Sequence, residues 1–152
     1  MRATRLVITL LVFLPSLFII KADETELTEM RLVSDSLIYM IHSNVDCDGQ
    51  KKFAELTFGD RGFNAGLLFA TVTVKYNFCG FNPSKYIGFI TVGDCLIFVD
   101  KSGLTHMDWF DYLPNKRIFH STEVSARDGT ACWNFILFSK TDIVLQSVSK
   151  GW

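Results

Sequence analysis

The stretch YIGFITVGDCLIFVD, Tyr86 to Asp100, decides the fold class. Tyr86 to Val92 and Leu96 to Val99 are apolar runs of strand length, and Gly93-Asp94 between them is a hairpin-type turn signal. Working outward, Thr71 to Tyr76 alternates Val72, Val74 and Tyr76 with Thr71, Thr73 and Lys75, the period of a half-buried strand. On the C-terminal side, Arg117 to Val124, Trp133 to Phe138 and Asp142 to Val148 read as further strands, with turns at Asp100-Lys101-Ser102-Gly103 and Leu113-Pro114-Asn115. Before the central hairpin, Phe63, Leu67 and Ala70 recur at helical spacing behind Asp60 as an N-cap, a pattern weakened by Gly62 and Gly66. Leu37 to Ile41 is a short apolar run that reads as a strand, and Val45-Asp46-Cys47-Asp48-Gly49 ends in a turn. A helix followed by short antiparallel strands predicts an α+β domain, one helix packed on an antiparallel sheet.

The N-terminus reads as a cleavable signal peptide, residues 1–22. Arg2 and Arg5 supply its positive start, Leu6 to Ile20 its apolar run, and Ile20-Lys21-Ala22 a small residue at the cut. The competing reading is a membrane anchor, but the run falls short of the roughly 20 residues that span a bilayer. Cleavage predicts a secreted product with no membrane attachment.

The leader holds Arg2, Arg5 and Lys21 and no acid, so the chain's 15 basic and 16 acidic residues become 12 and 16, a net charge of −4. That balance argues against avid, non-specific phosphate binding, which needs a basic footprint. Asp23 to Asp35 is polar and acidic and predicts a loose N-terminal arm (residues 23–36) or a short helix, with Leu27, Met30 and Arg31 at roughly helical spacing. The apolar content, with 14 Phe, is enough for one domain with an aromatic-rich core. Residues 37–140 form that domain, and 141–152 a C-terminal strand and tail ending in Trp152.

All four cysteines, Cys47, Cys79, Cys95 and Cys132, follow the leader. An even count in a small exported domain reads as a disulfide framework, and four cysteines allow three pairings. The pairing favoured joins the domain's ends through Cys47 and Cys132, with Cys79–Cys95 nested inside. Closing the long loop contributes about 4 kcal/mol in the chain-entropy picture. The spacings contain no C-x-x-C and no Cys/His cluster, which argues against zinc.

The sequence shows no G-x-S-x-G, H-E-x-x-H, P-loop or dinucleotide fingerprint, and implies no cofactor. His42, His106 and His120 sit in unrelated contexts. His120 lies three residues before Glu123, an acid–base pair only if both entered one cleft, whereas residues three apart on a strand face opposite sides. Asp108 and Asp111 flank Trp109-Phe110, a pattern that fits carbohydrate chemistry or, more plainly, a polar loop with aromatic anchors. The segment Gly103 to Asn115 offers Met107, Trp109, Phe110 and Tyr112 as candidate interface residues; the competing reading is that these aromatics are core.

The order of these features resembles that of the small ribonuclease-like effectors secreted by powdery mildew fungi. Val45-Asp46-Cys47-Asp48-Gly49 is similar to their aromatic-x-Cys motif, with valine for the aromatic. Phe63 to Ala70 falls where their helix lies, Asn82-Pro83-Ser84-Lys85-Tyr86 resembles the ribonuclease segment Tyr-Pro-His-Lys-Tyr, and Gly129-Thr130-Ala131-Cys132 falls at the closing cysteine. The match covers roughly Val45 to Phe138; the acidic arm, the C-terminal tail, Cys79 and Cys95 lie outside the family plan. The resemblance implies a T1-type ribonuclease fold over residues 37–140 whose catalyst is lost, since Asn82 and Ser84 replace the tyrosine and histidine and serine cannot transfer a proton near neutral pH. It further implies a non-enzymatic effector that binds a host protein, modulates host immunity and is delivered into host cells. The alternatives are an active ribonuclease using His120 and Glu123, RNA binding through Lys85 and Arg117, and an unrelated secreted binding domain.

Overall fold

A computed structural model describes residues 23–44, 53–64, 67–76, 80–121, 131–137 and 143–150. The leader, residues 45–52 with Cys47, and residues 77–79 with Cys79 lie outside the described residues, as do Glu123 and Trp152.

The strands are β1 (Glu24–Leu32), β2 (Phe53–Asn64), β3 (Leu67–Lys75), β4 (Tyr86–Val92), β5 (Cys95–Asp100), β6 (Phe110–His120), β7 (Ala131–Leu137) and β8 (Ile143–Lys150). One α-helix, α1 (Asp35–Asn44), follows β1; a short 3-10 turn, Pro83–Lys85, precedes β4, and a longer 3-10 segment, Lys101–Trp109, joins β5 to β6. The strands form one eight-stranded sheet in the order β6-β1-β4-β5-β2-β3-β7-β8. It is mixed: β1 runs parallel to β4 and β2 parallel to β5, the other neighbours being antiparallel.

This corrects the expectation of one helix on an antiparallel, ribonuclease-like sheet. The predicted acidic arm is β1, inserted between β6 and β4. Its period of two is hidden by a bulge at Thr28–Met30, which switches the buried positions from Leu27 to Met30 and Leu32. Opposite that bulge, Leu113-Pro114-Asn115 stays within β6 instead of making a turn, and β6 is terminal in the sheet, where proline is tolerated. The predicted strand Leu37–Ile41 is instead the middle of α1. Ser34 caps the helix, its Oγ accepting from the Leu37 N–H at 3.3 Å, and Leu37 and Ile41 are buried one turn apart. The predicted helix Phe63–Ala70 is the closing end of the β2–β3 hairpin, with Asn64 opposite Leu67. The central hairpin forms as read, and its Gly93 takes a positive φ of 56°.

Ala54, Leu56 and Phe58 of β2, Val72 and Val74 of β3, Ile97 and Val99 of β5 and Trp133 and Phe135 of β7 share one buried cluster with Leu37 and Ile41 of α1. α1 touches both β1 and β8, which are six strand spacings apart in the sheet order. A flat sheet would separate them by about 29 Å, against a helix about 10 Å wide, so the sheet must curl around α1. Ten residues of helix do not fill the trough, and a cleft of about 310 Å³ remains between α1 and the β1, β4 and β6 strands. The opposite sheet face carries a smaller aromatic cluster, Leu27, Tyr86, Phe89 and Phe98, against which Phe81 and Phe119 pack.

Cys95 is fully buried and disulfide-bonded. Cys47 and Cys79 are outside the description, as is the side chain of Cys132, so the expected pairings fall there too.

Candidate functional site

Residues Asn82 to Tyr86, read above as a degenerate ribonuclease segment, form a structural latch. Asn82 caps the 3-10 turn, its Oδ1 accepting from the Ser84 N–H at 3.0 Å and the Ser84 hydroxyl at 2.7 Å, and Pro83 is buried. Lys85 Nζ donates to Glu55 Oε1 at 2.8 Å and lies 3.2 Å from Asp100 Oδ2. The Tyr86 hydroxyl donates to Glu55 Oε2 at 2.9 Å. The register explains the meeting: Glu55 of β2 stands opposite Phe98 of β5, and Asp100 of β5 opposite Tyr86 of β4.

Partial burial works to lower the Lys85 pKa, but hydrogen bonds and charge from Glu55 and Asp100 carry it above the usual lysine value. Burial, then the charge of Glu55 and the hydrogen bond to it, push the Tyr86 phenol strongly up. Burial would raise Asp100, yet the Ser102 N–H and the Lys85 ammonium hold its carboxyl below the usual range. Each group is therefore locked in its resting protonation state. A proton-transfer catalyst needs the opposite, a pKa brought toward the working pH. Lys85 also faces two carboxylates, so its charge is locally overcompensated, which weighs against phosphate binding there.

The other site candidates separate. His120 is exposed near the end of β6 with Nδ1 3.8 Å from Glu24 Oε1, while Glu123 lies outside the described residues. Arg117 lies over the Phe89 ring at 5.5 Å. Asp111 pairs with Arg31 at 2.7 Å. His106 is fully buried, its Nε2 3.2 Å from the Gly59 carbonyl and its ring 4.5 Å from that of Trp109. Among the described residues, no group of three or more His, Cys, Asp or Glu could hold a metal, and no helix is long and apolar enough to cross a membrane.

The predicted interface residues divide between core and surface. Trp109 and Phe110 are buried, both packed edge-on against Phe58 at 5.5 Å, so they are core rather than anchors. Met107 is half-buried and accepts a contact from the Tyr112 hydroxyl at 3.5 Å; Tyr112 is 52% exposed. Leu104, which the sequence reading did not single out, is 55% exposed on the same segment. The segment is two short 3-10 turns that meet at a kink at His106 (φ −123°, ψ 25°); Gly103, His106 and Trp109 are buried, while Leu104 lies outward. A Cβ on Gly103 would lie 3.0 Å from Val99 Cγ1, a measure of how closely the segment is seated. Asp100 starts it as N-cap, its Oδ1 accepting from the Ser102 N–H at 2.9 Å.

Compared with known proteins, the chain matches no family model, and no curated protein or solved structure is significantly similar to it.

Proposed function

We propose that this chain is an exported, non-catalytic binding domain that docks a partner protein on the outer side of Lys101–Trp109 and the first residues of β6. The observation that carries this reading is the exposure of Leu104 and Tyr112 on a segment whose other side is anchored in the core. An apolar side chain carried on backbone that is seated against the core needs no rearrangement of the chain when a partner covers it, so less of its burial is lost to ordering. Met107, which accepts from the Tyr112 hydroxyl, supplies a polarizable wall beside it.

What supports export is the leader, Arg2 and Arg5 before Leu6 to Ile20 and Ala22, together with the disulfide at Cys95, a bond that persists in oxidising compartments. What supports binding over catalysis is the latch, where Asp100, Lys85 and Tyr86 are all moved away from neutral pH. The partner is described by chemistry: a protein with apolar sockets for a leucine and a tyrosine. An effector acting on a host protein is one instance of that reading, and it no longer depends on a ribonuclease-like scaffold.

The test places a photo-crosslinking residue at Tyr112, and separately at the exposed Tyr39 of α1, in chain produced through a secretory pathway and returned to the fluid of its source. A discrete adduct at Tyr112, lost with Leu104→Asp and lacking at Tyr39, is expected. Equal labelling at both positions, or an adduct that survives Leu104→Asp, contradicts the surface assignment. Cleavage of single-stranded RNA that disappears in His120→Ala contradicts the non-catalytic half.

A further inference from the structure

We infer that the open edge of β6 from Lys116 to His120 takes an added strand from a partner protein, an extended segment that alternates acidic and apolar residues. The inference stands apart from the docking surface above, which uses the first residues of β6. β6 is terminal in the sheet, so its outer side has no neighbouring strand among the described residues. The Ser121 N–H donates to the Asp23 carbonyl at 3.3 Å, which fixes the phase of the ladder with β1. Counting back by twos in the unbroken register, Phe119 and Arg117 turn their N–H and C=O groups toward Thr25 and Leu27 of β1. Lys116, Ile118 and His120 therefore turn theirs outward, a donor and an acceptor each. Toward Tyr112 the edge closes, because Pro114 has no N–H and the register with β1 shifts there.

The side chains set what the added strand must carry. Lys116, Ile118 and His120 share one face of β6, and Arg117 and Phe119 the other. On the first face β1 already supplies the acids: Lys116 Nζ lies 2.8 Å from Glu26 Oε1, and His120 Nδ1 3.8 Å from Glu24 Oε1. Between them Ile118 is 59% exposed, so an apolar side chain fits beside it. On the second face Arg117 is exposed and meets no carboxylate among the described residues; its guanidinium lies 5.5 Å over the Phe89 ring. A carboxylate on the added strand supplies that missing partner. A second copy's β6 cannot, since Asn115 to His120 holds no acid and self-pairing would set one basic strand against another. Antiparallel pairing, the more stable per residue, places the apolar residues directly opposite Lys116, Ile118 and His120, with their own N–H groups turned to β6. Backbone bonds then give affinity, and the alternating side chains selectivity.

The test titrates amide-labelled whole chain, followed by NMR, with the peptide acetyl-Glu-Val-Glu-Val-Glu-Val-amide. Two comparison peptides carry lysine for glutamate, or N-methyl groups on the valines. The amides of Lys116, Ile118 and His120 should gain protection from hydrogen exchange saturably, while those of β8, the opposite edge, keep their rates. Both comparison peptides should bind at least tenfold more weakly. Arg117→Glu reverses the cation, and Ile118→Pro removes one outward N–H at a position where an edge strand tolerates proline. Each should weaken the glutamate peptide at least tenfold while the Ile97 amide keeps its native shift. Unchanged exchange at the three amides, protection at β8 instead, equal binding of either comparison peptide, or full affinity in a natively folded variant would overturn the inference.

Discussion

Replacing Gly88 by alanine tests whether the acidic N-terminal segment is truly a strand of the sheet. Gly88 lies on β4 where β1 crosses it, one residue from the Glu29–Phe89 register pair. A Cβ there would stand 2.6 Å from the Thr28 carbonyl oxygen and 2.8 Å from Met30 Cγ, and would overlap Met30 Sδ. Met30 can swing away; the Thr28 carbonyl belongs to the backbone of β1 and cannot without moving the strand. Overpacking of this kind costs about 1–3 kcal/mol, and the backbone obstacle puts Gly88→Ala at the upper end, about 3 kcal/mol. With a urea slope of about 2 kcal/mol/M, the unfolding midpoint falls by about 1.5 M. Met30→Ala, at a side chain 1% exposed, costs about 3 kcal/mol by itself through lost burial and the cavity left behind. In the double variant the Met30 overlaps vanish and the Thr28 contact remains. The combined loss should therefore fall short of the sum by about 1 kcal/mol or more. Urea titrations followed by tryptophan fluorescence measure all of this. A Gly88→Ala midpoint within about 0.3 M of the parent would refute the placement of β1 against β4.

Tyr86→Phe leaves the Glu55 carboxylate short of a hydrogen bond and should lower stability by about 1–2 kcal/mol at pH 7, read from the same titration. The folded-state pKa values of Tyr86 and Lys85 are raised, so their contribution is complete below about pH 10 and is lost as pH climbs past their unfolded values. Stability should drop as pH rises above about 10, less steeply in Tyr86→Phe. Asp100, whose pKa is depressed, acts in the other direction, its contribution fading as pH falls below about 4, and Asp100→Asn should flatten that acid limb. Ser34→Ala removes the α1 cap and should cost about 1 kcal/mol, with the loss seen first as faster hydrogen exchange at Leu37. Trp109→Ala should cost about 3–5 kcal/mol as a core deletion, whereas Leu104→Asp should change stability by less than about 0.5 kcal/mol.

The strands from Thr71 to Val99 were legible because their patterns are unbroken. Val72 and Val74 alternate cleanly, and Gly93-Asp94 supplies the turn that joins two apolar runs. The N-terminal half was not, for local reasons. A bulge at Thr28–Met30, where β6 advances four residues against two of β1, erases the period of β1 and leaves its acids as the visible feature. Leu37 to Ile41 is too short for its apolar residues alone to separate strand from helix, and the deciding residue is Ser34, a cap outside the run. Phe63, Leu67 and Ala70 mimic a helical period by their spacing, although Phe63 and Leu67 lie on opposite strands of the β2–β3 hairpin. With β1 taken for an arm, the parallel pairings could not be inferred, and these distinguish the sheet from a ribonuclease-like one.

Of the four candidate interface residues, Trp109 and Phe110 are core, and Tyr112 is exposed. Trp109 and Phe110 have the aromatic character of interface anchors, but both pack on Phe58 in the core, and Leu104 is the exposed apolar residue of the segment. Glu55 was missed, although a lone carboxylate inside the alternation Phe53 to Phe58 was its signal. Only the sheet order brings it to Lys85 and Tyr86, which lie 30 and 31 residues away.

The most direct measurement of the binding claim is the affinity of the partner captured at Tyr112 for the parent chain, Leu104→Asp and Tyr39→Asp, by calorimetry. A central apolar anchor is worth about 2 kcal/mol or more, so Leu104→Asp should weaken binding at least about 30-fold with the fold intact, and Tyr39→Asp less than about threefold. Equal affinity of the parent and Leu104→Asp would contradict the account.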